Sequence, residues 1–276
     1  MHVVVISFPA IDPVAVTLGP LKVHWYGIAY VVGIILACHW AHALIRRFEF
    51  NITPKLFDDL LPHAVVGIVI GGRLGHTMLY DPGYYLNHPL EILQVWQGGM
   101  SFHGGLLGVV VMAIAYAKRH HLDFYSLGDL MALISPIGLF FGRLANFINA
   151  ELCGVETKMP WGVIFPKQIV AQHPTQIYEA LLEGLVLFFT LNFIYKTVPV
   201  VRKCKGLTGC LFLSLYALFR LSVEAFKIQE VIVQLGTYNL GVGVILCTLM
   251  LLLSIILMMV RLRVFKTTSE KTVLSQ

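Results

Sequence analysis

Apolar residues gather along this chain in seven stretches, near 23–45, 60–80, 98–117, 128–149, 175–195, 206–226 and 238–260, with short polar connections between them. About 20 residues of α-helix cross roughly 30 Å of hydrocarbon, so each stretch predicts one transmembrane helix. The pattern therefore predicts an all-α polytopic membrane protein of seven transmembrane helices, with its termini on opposite sides. It shows no internal repeat and no loop long enough to fold alone, so residues 1–276 read as a single integral membrane domain. The absence of repeated halves weakens an inverted-repeat transporter reading.

Composition agrees. Hydrophobic residues make up 57% of the chain, charged residues 13%, and the mean hydropathy is +0.77. A soluble domain carries roughly a quarter of its residues charged, so a cytosolic enzyme, a secreted disulfide scaffold and a disordered chain are all excluded. The net charge of +5 lies in short clusters between the apolar runs. It forms no basic face, and no nucleic-acid partner is expected.

The clusters orient the chain. One side collects Arg46, Arg47, Lys55, Lys118, Arg119, Lys196, Arg202, Lys203, Lys205, Arg261, Arg263, Lys266 and Lys271, thirteen in all. The other side has four, Lys22, Lys158, Lys167 and Lys227. By the positive-inside rule the C-terminus is cytoplasmic, the N-terminus is outside, and the loops at 81–97, 150–174 and 227–237 face outward. Residues Met1 to Leu21 lack a basic start, a continuous apolar core and a small-residue cleavage site, so this segment is expected to stay on the mature protein. Cys38, Cys153, Cys204, Cys210 and Cys247 form no CxxC pair and no zinc spacing with histidine, which predicts neither a metal nor a disulfide framework.

Arg73, Arg143 and Arg220 fall inside apolar stretches. Each costs about 2.5–3.5 kcal/mol at mid-bilayer, so they must face the bundle interior and need anionic company. Glu179, Glu183, Glu224, Asp129 and Glu151 are the candidate partners. Such arginines are either structural ion pairs or phosphate ligands, for which a planar guanidinium fork is well suited.

Other polar stations start or end stretches on the outer side. His103 stands between the glycine pairs Gly98-Gly99 and Gly104-Gly105, as a packed histidine or as a proton acceptor near neutral pH. Arg143, Asn146 and Ala150 share one face of the fourth helix by their spacing. The stations His24-Trp25-Tyr26-Gly27 and His173-Pro174 through Tyr178-Glu179 read singly as interface anchors. One topology nevertheless brings Tyr26, His103, Asn146, Glu151 and His173 to the same outer side.

These segments together resemble the bacterial phosphatidylglycerol–prolipoprotein diacylglyceryl transferase family over nearly the whole chain. The resemblance rests on His24 to Gly27, Gly71-Gly72-Arg73, Gly98 to Gly105, Gly142-Arg143 through Gly154, His173-Pro174 with Gln176 and Tyr178-Glu179, and Tyr216 through Arg220 to Glu224. The fourth-stretch segment matches the family's signature except at Ala145, Ala150, Cys153 and Val155, where the family usually reads Gly, Gly, Trp and Arg. His76 also replaces a usual aromatic. These departures bear on local packing and lipid preference; Arg143, Asn146, Glu151 and Gly154 stand in place.

The resemblance implies transfer of a diacylglyceryl group from phosphatidylglycerol to the lipobox cysteine of a prolipoprotein signal peptide, in the bacterial inner membrane and among membrane lipids, with glycerol phosphate leaving and no cofactor. A free thiol has a pKa of about 8.5, so a base or a cation helps it ionise. His103 is the candidate base, and Arg143 and Arg220 are the candidates for gripping the phosphate, with Arg73 a third. Tyr26, Asn146 and Tyr216 are candidates for bonding the headgroup or orienting the arginines, and Gly154 and Glu151 are counted with the substrate-binding set. Glu151 and Glu224 are expected to hold arginines. Two readings from other classes stay open: a transporter or lipid-binding protein, which predicts flux without chemistry, and a structural scaffold, in which replacing Arg143 harms folding rather than turnover.

Overall fold

The computed structural model describes residues 6–9, 11–19, 21–48, 50–95, 98–229, 232–235 and 238–274. Parts of three segments read above, Met1 to Leu21 with its Pro20, the 81–97 loop and the 227–237 loop, fall outside the described residues. The long helices are α1 (Trp25–Arg47), α2 (Pro54–Leu79), then, after the short α3 (Pro82–Asn87), α4 (Phe102–Arg119), α5 (Phe124–Ile148) and α6 (Thr175–Thr197). They continue, after the short α7 (Pro199–Lys203), with α8 (Leu207–Glu224) and α9 (Val242–Leu274). A long helix thus covers each of the seven apolar stretches. Among the described residues, α1, α5, α6, α8 and α9 are long and apolar enough to cross a membrane.

Three departures from the sequence reading have local causes. The fold is not purely α: three two-stranded sheets pair Ile6–Ser7 with Val163–Ile164, Val14–Leu18 with Leu21–His24, and Ile232–Leu235 with Tyr238–Gly241. The last hairpin takes the first residues of the seventh stretch, so its helix begins at Val242. The third helix starts at Phe102 rather than 98, because Gly98 and Gly99 take left-handed φ angles of 86° and 75° and Ser101 caps the helix through its hydroxyl to the Gly104 amide at 3.2 Å.

The chain divides into two compact units, one of residues 41–130 and one of residues 1–40 with 131–276. In the 41–130 unit α2 and α4 meet glycine to glycine. A Cβ at Gly71 would lie 2.8 Å from the Gly108 Cα, and one at Gly75 would lie 2.6 Å from the Gly104 Cα. Small residues every fourth position let two backbones come this close, and van der Waals contact then holds the pair where hydrocarbon surrounds it. The seam was present in the sequence as Gly67, Gly71 and Gly75 facing Gly104 and Gly108.

In the other unit, α8 and α9 are joined by a buried contact of 2.7 Å between the Ser214 and Ser254 hydroxyls, and Arg261 reaches the Lys205 carbonyl through Nε and Nη2 at 2.9 and 2.7 Å. Phe8, Phe147 and Phe165 form an aromatic cluster with ring centroids 5.4 to 5.9 Å apart, which anchors the first strand on the end of α5. The outer face of α9 leaves Leu249, Leu252, Leu253 and Ile256 more than half exposed, a surface that hydrocarbon covers and water would not.

Candidate active site

The candidate residues fall in both units, each with its own set. In the 1–40 with 131–276 unit, α5, α6 and α8 bring Arg143, Glu179, Glu183, Arg220 and Glu224 together, and Lys227 follows α8 into the same cluster. Arg143 places Nη1 3.2 Å from Glu179 Oε2 and Nη2 3.3 Å from Glu183 Oε2. Arg220 places Nη1 2.5 Å from Glu179 Oε1 and Nη2 3.1 Å from Glu224 Oε2. Lys227 Nζ lies 2.8 Å from that same Glu179 Oε1. The side chains of Glu179 and Glu183 are fully buried. Three cations therefore face three carboxylates out of water, where a charge without a partner is costly.

Local sequence explains the convergence. Pro174 ends the preceding segment, Thr175 anchors the new helix by donating to the Leu152 carbonyl at 2.8 Å, and α6 then winds as π-helix over Ala180–Val186. Such widened turns recur at functional sites. Gly184 lets α6 approach α5 closely, since a Cβ there would stand 2.6 Å from the Phe140 Cβ. On α8 the spacing of four between Tyr216, Arg220 and Glu224 puts all three on one face. Tyr216 is buried beside the cluster and stacks on Phe212 with centroids 6.1 Å apart.

The fourth-stretch signature runs past α5 into a loop whose Gly154 bridges to Lys227 of this cluster. Helix α5 ends at Ile148, and Ala150 and Leu152 follow in left-handed backbone at φ 55° and 57°. Ala150 therefore leaves the face expected for it with Arg143 and Asn146, because the chain has turned before reaching it. Asn146 Nδ2 donates to Glu151 Oε2 at 3.2 Å, and the Asn149 amide nitrogen donates to Glu151 Oε1 at 3.4 Å. Glu151 was expected to hold an arginine. Among the described residues it is held instead by these two asparagines, and its carbonyl accepts from Gln176.

Gly154 has a packing reason for being glycine. A Cβ there would stand 2.7 Å from Thr175 Cγ2, 2.8 Å from His173 Cβ, and in collision with the Phe226 carbonyl. The Cys153 thiol bonds toward the Ala150 carbonyl at 3.4 Å, and burial pushes its pKa up, so the chain's own thiol here is held un-ionised. His173 Nδ1 lies 3.0 Å from the Tyr178 hydroxyl, which accepts from Trp161 Nε1 at 2.7 Å; burial lowers the His173 pKa. Tyr26 accepts a 3.2 Å bond from Tyr30 on α1.

In the 41–130 unit, Arg73 is paired with no carboxylate among the described residues. Its guanidinium donates to the carbonyls of Glu91 at 2.5 Å, Ile92 at 2.9 Å, Gly98 at 2.5 Å and Gly99 at 3.4 Å, with Tyr85 stacked beside it at 5.2 Å. Backbone carbonyls supply the negative ends that the sequence reading sought in carboxylates, and Arg73 clamps the loop before α4. His76 stacks on Tyr80 at 5.4 Å and keeps a flat ring where an aromatic was expected. His103 stands in the first turn of α4, beside an apolar groove of about 530 Å³ that also has Ile70, Leu74, Leu107 and Val111 in its lining. Sequence reasoning missed Lys227, which it had read only as an outer-loop charge. Its position seven residues after Arg220, two helical turns on, was the available signal.

Among the described residues no group of three His, Cys, Asp or Glu side chains has the arrangement to hold a metal ion. A helical bundle with apolar outer faces and a buried cluster of guanidinium, ammonium and carboxylate groups defines the class as a helical membrane protein with an ionic interior site. The particular family follows from comparison: the sequence profile of the Prolipoprotein diacylglyceryl transferase family matches residues 13–260, and the chain belongs to that family. Among its relatives, the phosphatidylglycerol–prolipoprotein diacylglyceryl transferase of Rickettsia akari (strain Hartford) is 44% identical over 248 residues, covering 90% of this chain and 95% of the relative. The enzyme of the same name from Rickettsia bellii (strain OSU 85-389) is 45% identical over 252 residues, covering 91% and 95%. That from Rickettsia felis (strain ATCC VR-1525 / URRWXCal2) is 45% identical over 251 residues, covering 90% and 95%.

Proposed function

We propose that this chain transfers the diacylglyceryl group of phosphatidylglycerol to a prolipoprotein cysteine, the first step of bacterial lipoprotein maturation. The cysteine sulfur attacks the glyceryl carbon that carries the phosphate ester, a C–S thioether bond forms, the C–O bond breaks, and glycerol phosphate leaves. The thiol proton passes to a base, for which His103 is the candidate. The observation that carries the reading is the buried Arg143–Glu179–Arg220 arrangement, two guanidinium groups set by one carboxylate at fixed spacing. Preorganised donors of this kind are worth about 3–4 kcal/mol where negative charge develops on a leaving group.

In this reading Arg143 and Arg220 bind and stabilise the phosphate, and Tyr26, Asn146 and Tyr216 contact the glycerol headgroup or orient the arginines. Glu151, Gly154 and Arg73 shape the surrounding backbone. The apolar groove beside His103 is matched to hydrocarbon, which suits substrates that arrive within the bilayer. The protein is read as one integral domain of seven crossings in the inner membrane, N-terminus outside, with lipobox-bearing signal peptides and phosphatidylglycerol as partners and no nucleic acid. Helices α2 and α4 complete the seven.

The test uses purified chain in detergent with phosphatidylglycerol and a lipobox peptide, following glycerol phosphate. Release that needs the peptide cysteine, and that disappears in a folded Arg143→Ala variant, is the expected result. A well-folded wild type that releases none with any anionic phospholipid returns the transporter reading.

A further inference from the structure

The three carboxylates of the buried cluster do not have equal duties. Glu179 meets Arg143, Arg220 and Lys227 at once. Glu224 is bound to Arg220 one turn before it. Among the described residues Glu183 is ion-paired only to Arg143 Nη2, at 3.3 Å, the longest ion-pair distance in the cluster. Its second oxygen, Oε1, is buried and accepts no hydrogen bond. A fully buried carboxylate with one long ion-pair contact and one unpartnered oxygen is the anion most easily exchanged for another.

Resting on the reading above, we propose that Glu183 is an exchangeable counter-anion, holding on Arg143 Nη2 the place that a phosphate oxygen takes when the phosphate-bearing substrate or product binds. Arg143 keeps its link to Glu179 through Nη1 during the exchange, so the guanidinium stays aimed while one end of its fork changes partner. The displaced carboxylate is then left buried without a cation. An isolated buried charge is costly, so Glu183 takes up a solvent proton as the phosphate arrives. Binding of one phosphate anion is thereby coupled to uptake of one proton, and the net charge of the cluster is unchanged. The charged and titratable groups near enough to act electrostatically on Glu183 are Arg143 on α5, Glu179 on its own helix, Arg220 and Tyr216 on α8, Lys227 beyond α8 and Cys247 on α9. The arginines stay charged throughout, and Glu179 keeps its three cations.

The test is a binding measurement on the full chain in detergent, independent of turnover. Phosphatidylglycerol in mixed micelles and soluble glycerol phosphate are titrated separately into wild type, Glu183→Gln and Glu183→Asp, each checked for folding by thermal melting. Removing the competing anion is expected to tighten Glu183→Gln for phosphate by about tenfold, the scale of one charge-assisted hydrogen bond. Glu183→Asp keeps the charge and is expected to match wild type within about twofold. Wild-type binding is expected to take up about one proton per phosphate, read by calorimetry in buffers of different ionisation enthalpy and as a dependence of affinity on pH, and the Gln variant to lose both. Tightening toward either phosphate bearer supports the exchange, and the arm that responds identifies lipid or product as the incoming anion.

A merely structural Glu183 moves binding the other way, since its loss would loosen Arg143. Weaker or unchanged phosphate binding in a folded Glu183→Gln protein, or pH-independent binding in wild type should the Gln variant not fold, overturns the proposal. So does the absence of any phosphate binding. Failure of the transferase reading is seen separately, as phosphate binding without glycerol phosphate release.

Discussion

Arg143 and Arg220 grip opposite oxygens of one carboxylate: Nη1 of Arg143 lies 3.2 Å from Glu179 Oε2, and Nη1 of Arg220 lies 2.5 Å from Oε1. Two guanidinium groups would repel at this range without the anion between them, so Glu179 sets both their spacing and their aim. Replacing it by glutamine leaves three buried cations facing two carboxylates. Breaking a buried pair in this way costs about 3–5 kcal/mol, so Glu179→Gln is expected to melt well below wild type and to lose turnover even at temperatures where it remains folded. Melting curves beside single-turnover rates check both. A variant with wild-type stability and turnover would mean the arginines are positioned by something else.

His103 is half-buried and lines the groove between α2 and α4. A general base contributes about 10²–10⁴-fold, so His103→Gln is expected to lose turnover on that scale with its melting temperature near that of wild type. Raising the pH, which ionises the peptide thiol without help, should recover part of the loss. Near-normal turnover at neutral pH would remove His103 from the base role.

How much of this was legible beforehand follows from which forces act locally. The seven apolar runs carry the helices because bilayer thickness and helical rise fix the same length. Arg143, Arg220, Glu179, Glu183 and Glu224 stood out because a charge in an apolar run demands a partner. What the sequence did not reveal was the division of labour. That Arg73 is satisfied by four carbonyls, and Glu151 by two asparagines, depends on where loops return, which no periodicity encodes. Lys227 was hidden because it lies just beyond the apolar run that made its neighbours conspicuous, and the π-helical turn of α6 leaves no mark in composition.

The glycine seam of the 41–130 unit makes a sharp packing prediction. A methyl group at Gly71 would stand 2.8 Å from the Gly108 Cα, with backbone rather than a flexible side chain in its way. Overpacking of this kind costs about 1–3 kcal/mol. Gly71→Ala should therefore lower the melting temperature, whereas Gly83→Ala, with nothing near the added methyl, should cost much less.

His173 gives a pH signature outside the membrane-spanning segments. Burial lowers its pKa, so below the ordinary histidine value of about 6.5 the unfolded chain binds a proton that the folded chain resists. Stability from this site is thus present above that value and is lost as the pH falls from it toward the depressed folded pKa. His173→Gln is expected to flatten that acid limb in a melting series. An equally steep limb in the variant assigns it to other groups.

Ala150 offers the last prediction, and it separates strain from function. An L-residue in left-handed backbone costs about 1–2 kcal/mol, and Ala150 sits at φ 55° just after α5. Glycine relieves that strain but gains more freedom in the unfolded chain, worth about 0.4–1 kcal/mol in the opposite direction. Ala150→Gly should therefore stabilise the folded protein by a net amount on the order of 0.5–1 kcal/mol. Leu152→Gly, at φ 57° in the same turn, relieves the same strain but also removes a side chain that is only 40% exposed, and the lost apolar burial should make its gain smaller than that of Ala150→Gly. If either substitution lowers stability, the turn is held by contacts of those side chains rather than merely tolerated by them. If both raise stability and slow turnover, the strain is part of how the loop carrying Asn146 and Glu151 is set.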